Sequence, residues 1–156
     1  MDGGRHTCME DASEIAKGTF VMTQSPILLA GKFAETLNTS NVDLFDTFIA
    51  EAYINHNPFV APGLQGVKEF FAGWLAAFPD TAVTVEDALV TGDKVVGRYT
   101  YRATHQGSFL GIPTTGKQIT MRSIDIWRVQ NGMFVEHWDE LNMLEVMQQL
   151  GVVPSL

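Results

Sequence analysis

The stretch ITMRSIDIWRVQNGMFVEHWD, residues 119–139, decides the fold of this chain because two alternating patterns flank an Asn-Gly pair. Successive side chains of a β-strand point to opposite faces, so every second residue shares a face. In the first predicted strand, one face carries Ile119, Met121, Ser123, Asp125, Trp127 and Val129. In the second predicted strand, one face carries Met133, Val135, His137 and Asp139. Two such runs joined by Asn-Gly predict a β-hairpin.

The register of this hairpin has two alternatives. A two-residue Asn131-Gly132 turn pairs odd positions with even ones and places His137 on the face of Ile126. A three-residue turn with Gly in a bulge instead pairs Val129 with Met133, Trp127 with Val135, Asp125 with His137, and Ser123 with Asp139. Only the second register gathers the apolar and ionisable residues on one continuous face. We therefore predict the three-residue turn.

Four ionisable residues fall on faces that should be apolar: His105, Asp125, His137 and Asp139. A buried carboxylate is costly unless it is paired, hydrogen-bonded or protonated. Several such groups around one cavity make an acid/base site the first hypothesis.

Upstream of the hairpin, the pattern predicts helices first and strands later. A helix should begin at Ser25-Pro26 and run to Asn38, and an aromatic helix should cover residues 65–78, with Pro79 as its stop. Shorter elements are predicted at 43–49 (helix), 52–55 (strand), 81–91 and 95–105 (strands), and 142–150 (helix with an Asn142–Glu145 capping box). This order indicates an α+β fold.

Composition bounds the remaining possibilities. With 156 residues, 46% of them apolar, the chain suits one globular domain at 25–156, after a loosely ordered extension at 1–24. A formal charge of −8 argues against a nucleic-acid or anionic membrane surface. Cys8 is the single cysteine, which excludes an intrachain disulfide. No apolar stretch reaches the length of a membrane span or a signal-peptide core, so we expect a cytoplasmic protein.

Several short motifs together resemble the SnoaL-like polyketide cyclase family. They are NHNP at 55–58, FPD at 78–80, THQG at 104–107, GIP at 111–113, TGK at 115–117, SIDIWRV at 123–129 and EHWD at 136–139. The resemblance covers residues 27–151 and rests on the combination rather than on any one motif.

This resemblance implies a cone-shaped α+β barrel of the nuclear-transport-factor-2-like class, in which a curved antiparallel sheet wraps around N-terminal helices. It implies an intramolecular aldol condensation of a polyketide ester without cofactor or metal. An aspartate is the general acid/base in the family, and the EHWD motif maps that role to Asp139 with support from His137. It also implies a homodimer or larger assembly. Arg98, Arg102, Arg122 and Arg128 fall on the opposite strand face with Ile124 and Ile126, which we predict to be the subunit interface.

Each candidate residue also has a structural interpretation. Asp139 could cap the terminal helix, His137 could be a hydrogen-bonded core histidine, and Asp125 could merely neutralise it. The candidate substrate contacts are His105, His56, Trp74, Phe71, Tyr53 and Trp127. His105 and His56 could equally order loops, and aromatic residues at these spacings are more often packing residues.

The functional hypothesis is a cofactor-independent acid/base enzyme acting on a small apolar carbonyl compound. Asp139 would remove a proton, and His137, held by Asp125, would orient or protonate the substrate. Alternatives on the same fold are an isomerase, hydratase or epoxide hydrolase, or a non-catalytic module for hydrophobic-ligand binding or dimerisation. A metal site of His105, His137 and a carboxylate is less favoured, because the spacing matches no metal motif. The sequence contains no GxSxG, P-loop or dinucleotide motif.

Overall fold

The fold is given by a computed structural model, which describes residues 25–154. The predicted extension at residues 1–24 lies outside this range. The helices are α1 (Pro26–Asn38), a 3₁₀ helix (Val42–Thr47), α2 (Gly63–Ala77) and α3 (Met143–Leu150). The strands are β1 (Ile49–Asn55), β2 (Ala82–Thr91), β3 (Lys94–Thr104), β4 (Gln118–Gln130) and β5 (Met133–Leu141). The predicted α+β order is confirmed.

Helix boundaries follow from local chemistry. Pro26 occupies the first position of α1, where its missing N–H costs nothing. Gly151 ends α3 with φ 82°, a left-handed conformation that glycine adopts without strain. The predicted capping box at α3 is wrong. Asn142 instead accepts the backbone N–H of Arg122 at 2.7 Å and donates to Glu145 at 2.8 Å, so its side chain ties α3 to β4.

One five-stranded sheet has the order β1-β5-β4-β3-β2. The pairs β5–β4, β4–β3 and β3–β2 are antiparallel, as predicted, but β1 pairs with β5 in a parallel orientation. A parallel connection needs a long crossover. The chain provides one, because α2 and the three remaining strands lie between β1 and β5. The prediction of a wholly antiparallel sheet is corrected by this edge strand.

The β4–β5 hairpin departs from the predicted register. Asn131 and Gly132 have φ values of 53° and 76°, which define a two-residue turn, and Val129 pairs with Phe134. The register then shifts, so that Trp127 pairs with His137. The three-residue turn is therefore wrong.

The register shift is a β-bulge at the start of β5, which adds one residue on that strand. An extra residue reverses the alternation of faces. As a result Phe134, which is fully buried, and His137 both face inward although their numbers differ in parity. The bulge keeps His137 and Asp139 on the inward face of β5, although the two-residue turn alone would have placed them on the outward face.

Helices α1 and α2 pack on the inward face of the curved sheet. Trp74 of α2 is 2% exposed, and the Phe33 ring of α1 lies 5.5 Å from Phe71 and 5.3 Å from Trp127. The predicted packing of the aromatic helix is confirmed. The outward face carries exposed arginines and Ile124, which is 50% exposed. Its role as a subunit interface stays a prediction. Within residues 25–154, no helix combines the length and apolarity required to cross a membrane.

Candidate active site

A narrow cavity of about 50 Å³ lies between the inward face of the sheet and helices α1 and α2. That free volume holds a few water molecules. Its walls are mostly apolar and aromatic: Phe33, Ile49, Val60, Val67, Phe70, Phe71, Trp74, Phe109, Met121, Leu141 and Met143. The polar side chains of the lining are Tyr53, Asn55, Asn57, Tyr101, Asp125, His137 and Asp139. A few polar groups converging in an apolar pocket are typical of a small-molecule site.

His137 and Asp125 form a buried pair in this lining. His137 Nε2 lies 2.9 Å from Asp125 Oδ1, and the two side chains are 9% and 4% exposed. The predicted partnership of these residues holds, although the bulge makes them diagonal rather than directly opposite neighbours. Trp127 stacks on the imidazole at 5.2 Å between centroids, and Tyr53 stacks on it at 6.2 Å.

The hydrogen bonds around His137 define where its protons are. Asn55 Oδ1 accepts the backbone N–H of Asn57 at 2.9 Å, so this atom is the amide oxygen, and it lies 3.2 Å from His137 Nδ1. Nδ1 therefore carries a proton. Asp125 accepts a second hydrogen bond, from Ser123 Oγ, at its other oxygen. Nε2 and Asp125 Oδ1 share one proton in the hydrogen bond between them.

Asp139 is the third ionisable group and the most accessible. It pairs directly with Asp125 across β4 and β5, and its side chain is only partly buried. Burial raises the pKa of Asp139 above its usual value. The hydrogen bond from Asn57 and the charge of His137 oppose this effect, and the neighbouring carboxylate of Asp125 adds to it. A carboxylate with a raised pKa beside an apolar cavity can accept a proton from a bound molecule.

Asn57 fixes the orientation of Asp139. Its Nδ2 donates to Asp139 Oδ2 at 2.6 Å, while its Oδ1 accepts the backbone N–H of Phe59 at 2.9 Å. The side chain thus connects the β1–α2 loop to β5. Asn55 and Asn57 were not among the predicted site residues. The signal that could have identified them is NHNP at residues 55–58, because Pro58 disfavours a helical conformation at Asn57 and so indicates a loop directly after β1.

The aromatic candidates take different positions. Trp74 and Phe71 line the cavity wall, as does Tyr53. Trp127 does not line the cavity. It lies behind His137, fully buried, and donates its indole N–H to the Tyr53 hydroxyl at 3.1 Å.

His105 lies outside the cavity, contrary to its prediction as a substrate contact. It is fully buried, its ring stacks on Phe78 at 5.1 Å, and its Nδ1 accepts the backbone N–H of Thr115 at 3.3 Å. Its backbone also bonds to Lys117 and Gly116. β3 ends at Thr104, so His105 lies outside the strand. The alternation of side chains that predicted His105 on the same face as Tyr101 therefore does not extend to this residue. His105 organises the loop between β3 and β4.

His56 also lies outside the cavity lining. Its ring stacks on Trp138 at 5.0 Å and its Nε2 lies 3.0 Å from Glu136, on the outward side of the sheet. Its side chain is 45% exposed. The predicted contact of His56 with a substrate is not supported by this position, since alternate residues of this segment point away from the cavity.

Asp125, His137 and Asp139 also meet the spacing of a metal site. Each offers one atom, and these atoms lie within 4.8 Å of one another. Asp125 and His137 are already hydrogen-bonded to each other, and Asp139 to Asn57. A metal ion would have to replace these bonds, so the arrangement fits an organic acid/base site better than a resident metal.

The fold and the site define a class of protein. The sequence profile of SnoaL-like polyketide cyclase matches residues 27–150, and the chain belongs to this family. Its fold is of the nuclear-transport-factor-2-like α+β class.

Named relatives agree with this family. The aklanonic acid methyl ester cyclase DauD of Streptomyces sp. (strain C5) is 30% identical over 132 residues, covering 79% of this chain and 80% of the relative. The aklanonic acid methyl ester cyclase DnrD of Streptomyces peucetius is also 30% identical over 132 residues, with 79% and 88% covered. The solved structure of TsrD from Streptomyces laurentii superposes with a TM-score of 0.77 at 30% identity, covering 82% of this chain and 96% of that one.

Proposed function

We propose that this protein catalyses the cofactor-independent intramolecular aldol cyclisation of a polyketide ester, with Asp139 as the general base. The observation that carries this proposal is the position of Asp139. It is a partly buried carboxylate with a raised pKa, oriented by Asn57 at the polar part of an otherwise apolar cavity. The cyclase names of two relatives that cover most of the chain support the same reaction class.

The chemical step needs no added reactant. The Asp139 carboxylate takes a proton from the carbon between two carbonyl groups, and the electron pair forms an enolate. The enolate carbon attacks another carbonyl of the same molecule, separate from those two, and makes the new carbon–carbon bond. The resulting alkoxide takes the proton back from Asp139. The product is an isomer of the substrate, and general acid–base catalysis contributes about 10²–10⁴-fold to such a step.

The buried pair of His137 and Asp125 supports this chemistry through its charge and its fixed position. When His137 is an imidazolium, its positive charge favours the ionised form of Asp139 and stabilises negative charge on the bound enolate. Asp125 holds the imidazole at 2.9 Å and fixes its orientation. His137 and Asp125 are therefore positioning and electrostatic groups in this proposal, and Asp139 is the group that moves the proton.

The substrate must widen the cavity on entry. A free volume of about 50 Å³ is far below the several hundred Å³ that a fused-ring polyketide requires. Met121 and Met143 are part of the lining, and unbranched methionine side chains adapt readily to a bound ligand. Fused aromatic rings would then stack against the ring faces of α2.

The proposal is tested with aklanonic acid methyl ester, the compound in the names of the relatives DauD and DnrD. The purified protein should convert it into a product of identical mass and different chromatographic retention, at a rate unchanged by dialysis against EDTA. A rate equal to that without protein would contradict the proposal for this substrate class. Saturable binding without conversion would favour the alternative of a non-catalytic hydrophobic-ligand-binding module.

A further inference from the structure

Three tyrosines on the inward face of the sheet differ in the use of their hydroxyl groups. Tyr53, Tyr99 and Tyr101 are each less than 5% exposed. A buried hydroxyl offers one proton to donate and lone pairs to accept, and a buried donor without a partner is costly. The hydrogen-bond partners therefore show which hydroxyl is free to act on a bound molecule.

Two of these hydroxyl groups lie near protein acceptors, one at normal hydrogen-bond distance and one farther away. Tyr99 donates its proton to the backbone carbonyl of Ala30 at 3.0 Å, which ties β3 to α1. The Tyr101 hydroxyl lies 3.5 Å from Ser123 Oγ, whose own proton goes to Asp125. At 3.5 Å this contact is long for two hydroxyl groups, so Ser123 Oγ is at most a weak acceptor for the Tyr101 proton.

Tyr53 is different because its oxygen is occupied as an acceptor. The indole N–H of Trp127 donates to it at 3.1 Å, and an indole nitrogen can only donate. The proton of Tyr53 must therefore point away from Trp127. Within residues 25–154, the bond from Trp127 is the one hydrogen bond found at this hydroxyl, and the Tyr53 ring lines the cavity.

We infer that Tyr53 donates a hydrogen bond to the oxygen of the enolate that forms when Asp139 removes the substrate proton. This role makes Tyr53 a catalytic residue, and it rests on the proposed aldol reaction. The Tyr53 proton stays on its own oxygen throughout, so the proton balance of the reaction is unchanged. Trp127 acts as the positioning residue that keeps this hydroxyl a donor.

The electrostatics agree with a neutral donor. Burial raises the pKa of Tyr53 well above its usual value, the bond from Trp127 opposes this shift, and the charges of Asp125 and Asp139 add to it. Tyr53 therefore remains protonated at any working pH. A preorganised donor at the wall of a largely apolar cavity favours the transition state, where negative charge develops, over the uncharged substrate.

The first experiment compares Tyr53→Phe with Tyr99→Phe in the conversion of aklanonic acid methyl ester. Tyr53→Phe should lower kcat by about 10²–10³-fold with little change in KM, because the donor acts mainly in the transition state. Tyr99→Phe removes an equally buried hydroxyl that does not line the cavity, and it should leave kcat within about threefold of the wild type. Equal kcat values for the two variants would overturn the inference.

The second experiment does not depend on turnover. In an Asp139→Asn background, 4-nitrophenolate imitates the enolate oxygen and 4-nitroanisole is its uncharged control. The Asp139→Asn protein should bind the phenolate at least tenfold more tightly than the anisole, and adding Tyr53→Phe should remove this preference. If the wild type fails to convert the ester while the preference depends on Tyr53, the proposed reaction fails and the donor role stands.

Two outcomes of the binding experiment overturn the donor role. The first is a phenolate preference that survives Tyr53→Phe. The second is an Asp139→Asn protein that shows no preference for the phenolate, and this result is decisive even if the Tyr53→Phe variant does not fold. Thermal unfolding followed by circular dichroism checks the fold of each variant.

Discussion

His137 contacts Asp125 at 2.9 Å, although the two residues are not partners in the sheet. The backbone of His137 pairs with Trp127, and that of Asp125 pairs with Asp139. Side chains on diagonal positions of an antiparallel pair reach each other when one of them is long. This diagonal contact leaves the position opposite Asp125 to Asp139, which remains open to the cavity.

The buried pair should contribute much more to stability than an exposed ion pair. Asp125→Ala leaves the His137 ring without its acceptor in the core, and breaking a buried pair in this way costs about 3–5 kcal/mol. The control is Asp87→Ala, which removes the exposed partner of Arg98 and should cost about 0–1 kcal/mol. Urea denaturation at pH 7 measures both free energies of unfolding. Equal losses would show that the Asp125–His137 pair is not a stabilising contact.

Asp139 should make the protein less stable at neutral pH. Its folded-state pKa is raised, so the folded protein favours the protonated carboxyl, and this stabilising contribution is present at low pH. It is lost as the pH rises through the raised pKa and Asp139 ionises. Asp139→Asn keeps an acceptor for Asn57 without the charge, so this variant should be more stable than the wild type at pH 7.

The pH dependence checks the cause of that difference. The gain in the free energy of unfolding from Asp139→Asn should shrink towards acid pH, as the wild-type carboxyl becomes protonated. Urea denaturation from pH 3 to pH 8 follows this change. A variant that is less stable than the wild type at pH 7 would contradict the unfavourable burial of the carboxylate.

The sequence was sufficient to predict the order of the helices and strands and the residues on the inward face of β4. The aromatic stripe of α2 and the alternation of β4 are long periodic patterns, and such patterns reliably indicate the type of secondary structure. The β5 strand shows the limit. Its register depends on a bulge next to Phe134, and no glycine or other local feature of the sequence marks that bulge.

The site could be predicted only in part for a similar reason. Asp125, His137 and Asp139 are polar residues on an apolar face, so the pattern identified them. Asn55 and Asn57 come from a loop and a short edge strand, whose place against β5 depends on the parallel crossover. His105 is buried because it organises the loop between β3 and β4. Its position on an apolar face cannot distinguish a histidine that organises a loop from one that contacts a ligand.

Two glycines of α2 provide a test of how the loop before this helix is held. A Cβ on Gly66 would lie 2.0 Å from the backbone oxygen of Ala61, whereas a Cβ on Gly73 would meet nothing within 4 Å. Gly66→Ala should therefore destabilise the protein by about 1–3 kcal/mol or more through overpacking. Gly73→Ala should stabilise it by about 0.5–1 kcal/mol, because alanine is the better helix former.

Thermal and urea unfolding of the two glycine variants give the comparison. Gly66 lies where α2 meets the loop that carries Asn57, so Gly66→Ala should also lower cyclisation activity, while Gly73→Ala should not. Equal stability of the two variants would mean that the contact between Gly66 and Ala61 does not fix this loop.

If Asp139 is the base, loss of its carboxylate must stop turnover, whereas loss of a neighbouring carboxylate outside the cavity must not. Asp139→Asn and Glu140→Gln each remove one negative charge from adjacent positions, but Glu140 is exposed and does not line the cavity. With aklanonic acid methyl ester, Asp139→Asn should lower kcat by at least the ~10²–10⁴-fold contribution of general acid–base catalysis, while Glu140→Gln retains wild-type kcat. Near-normal turnover by a folded Asp139→Asn protein would contradict the assignment of Asp139 as the base.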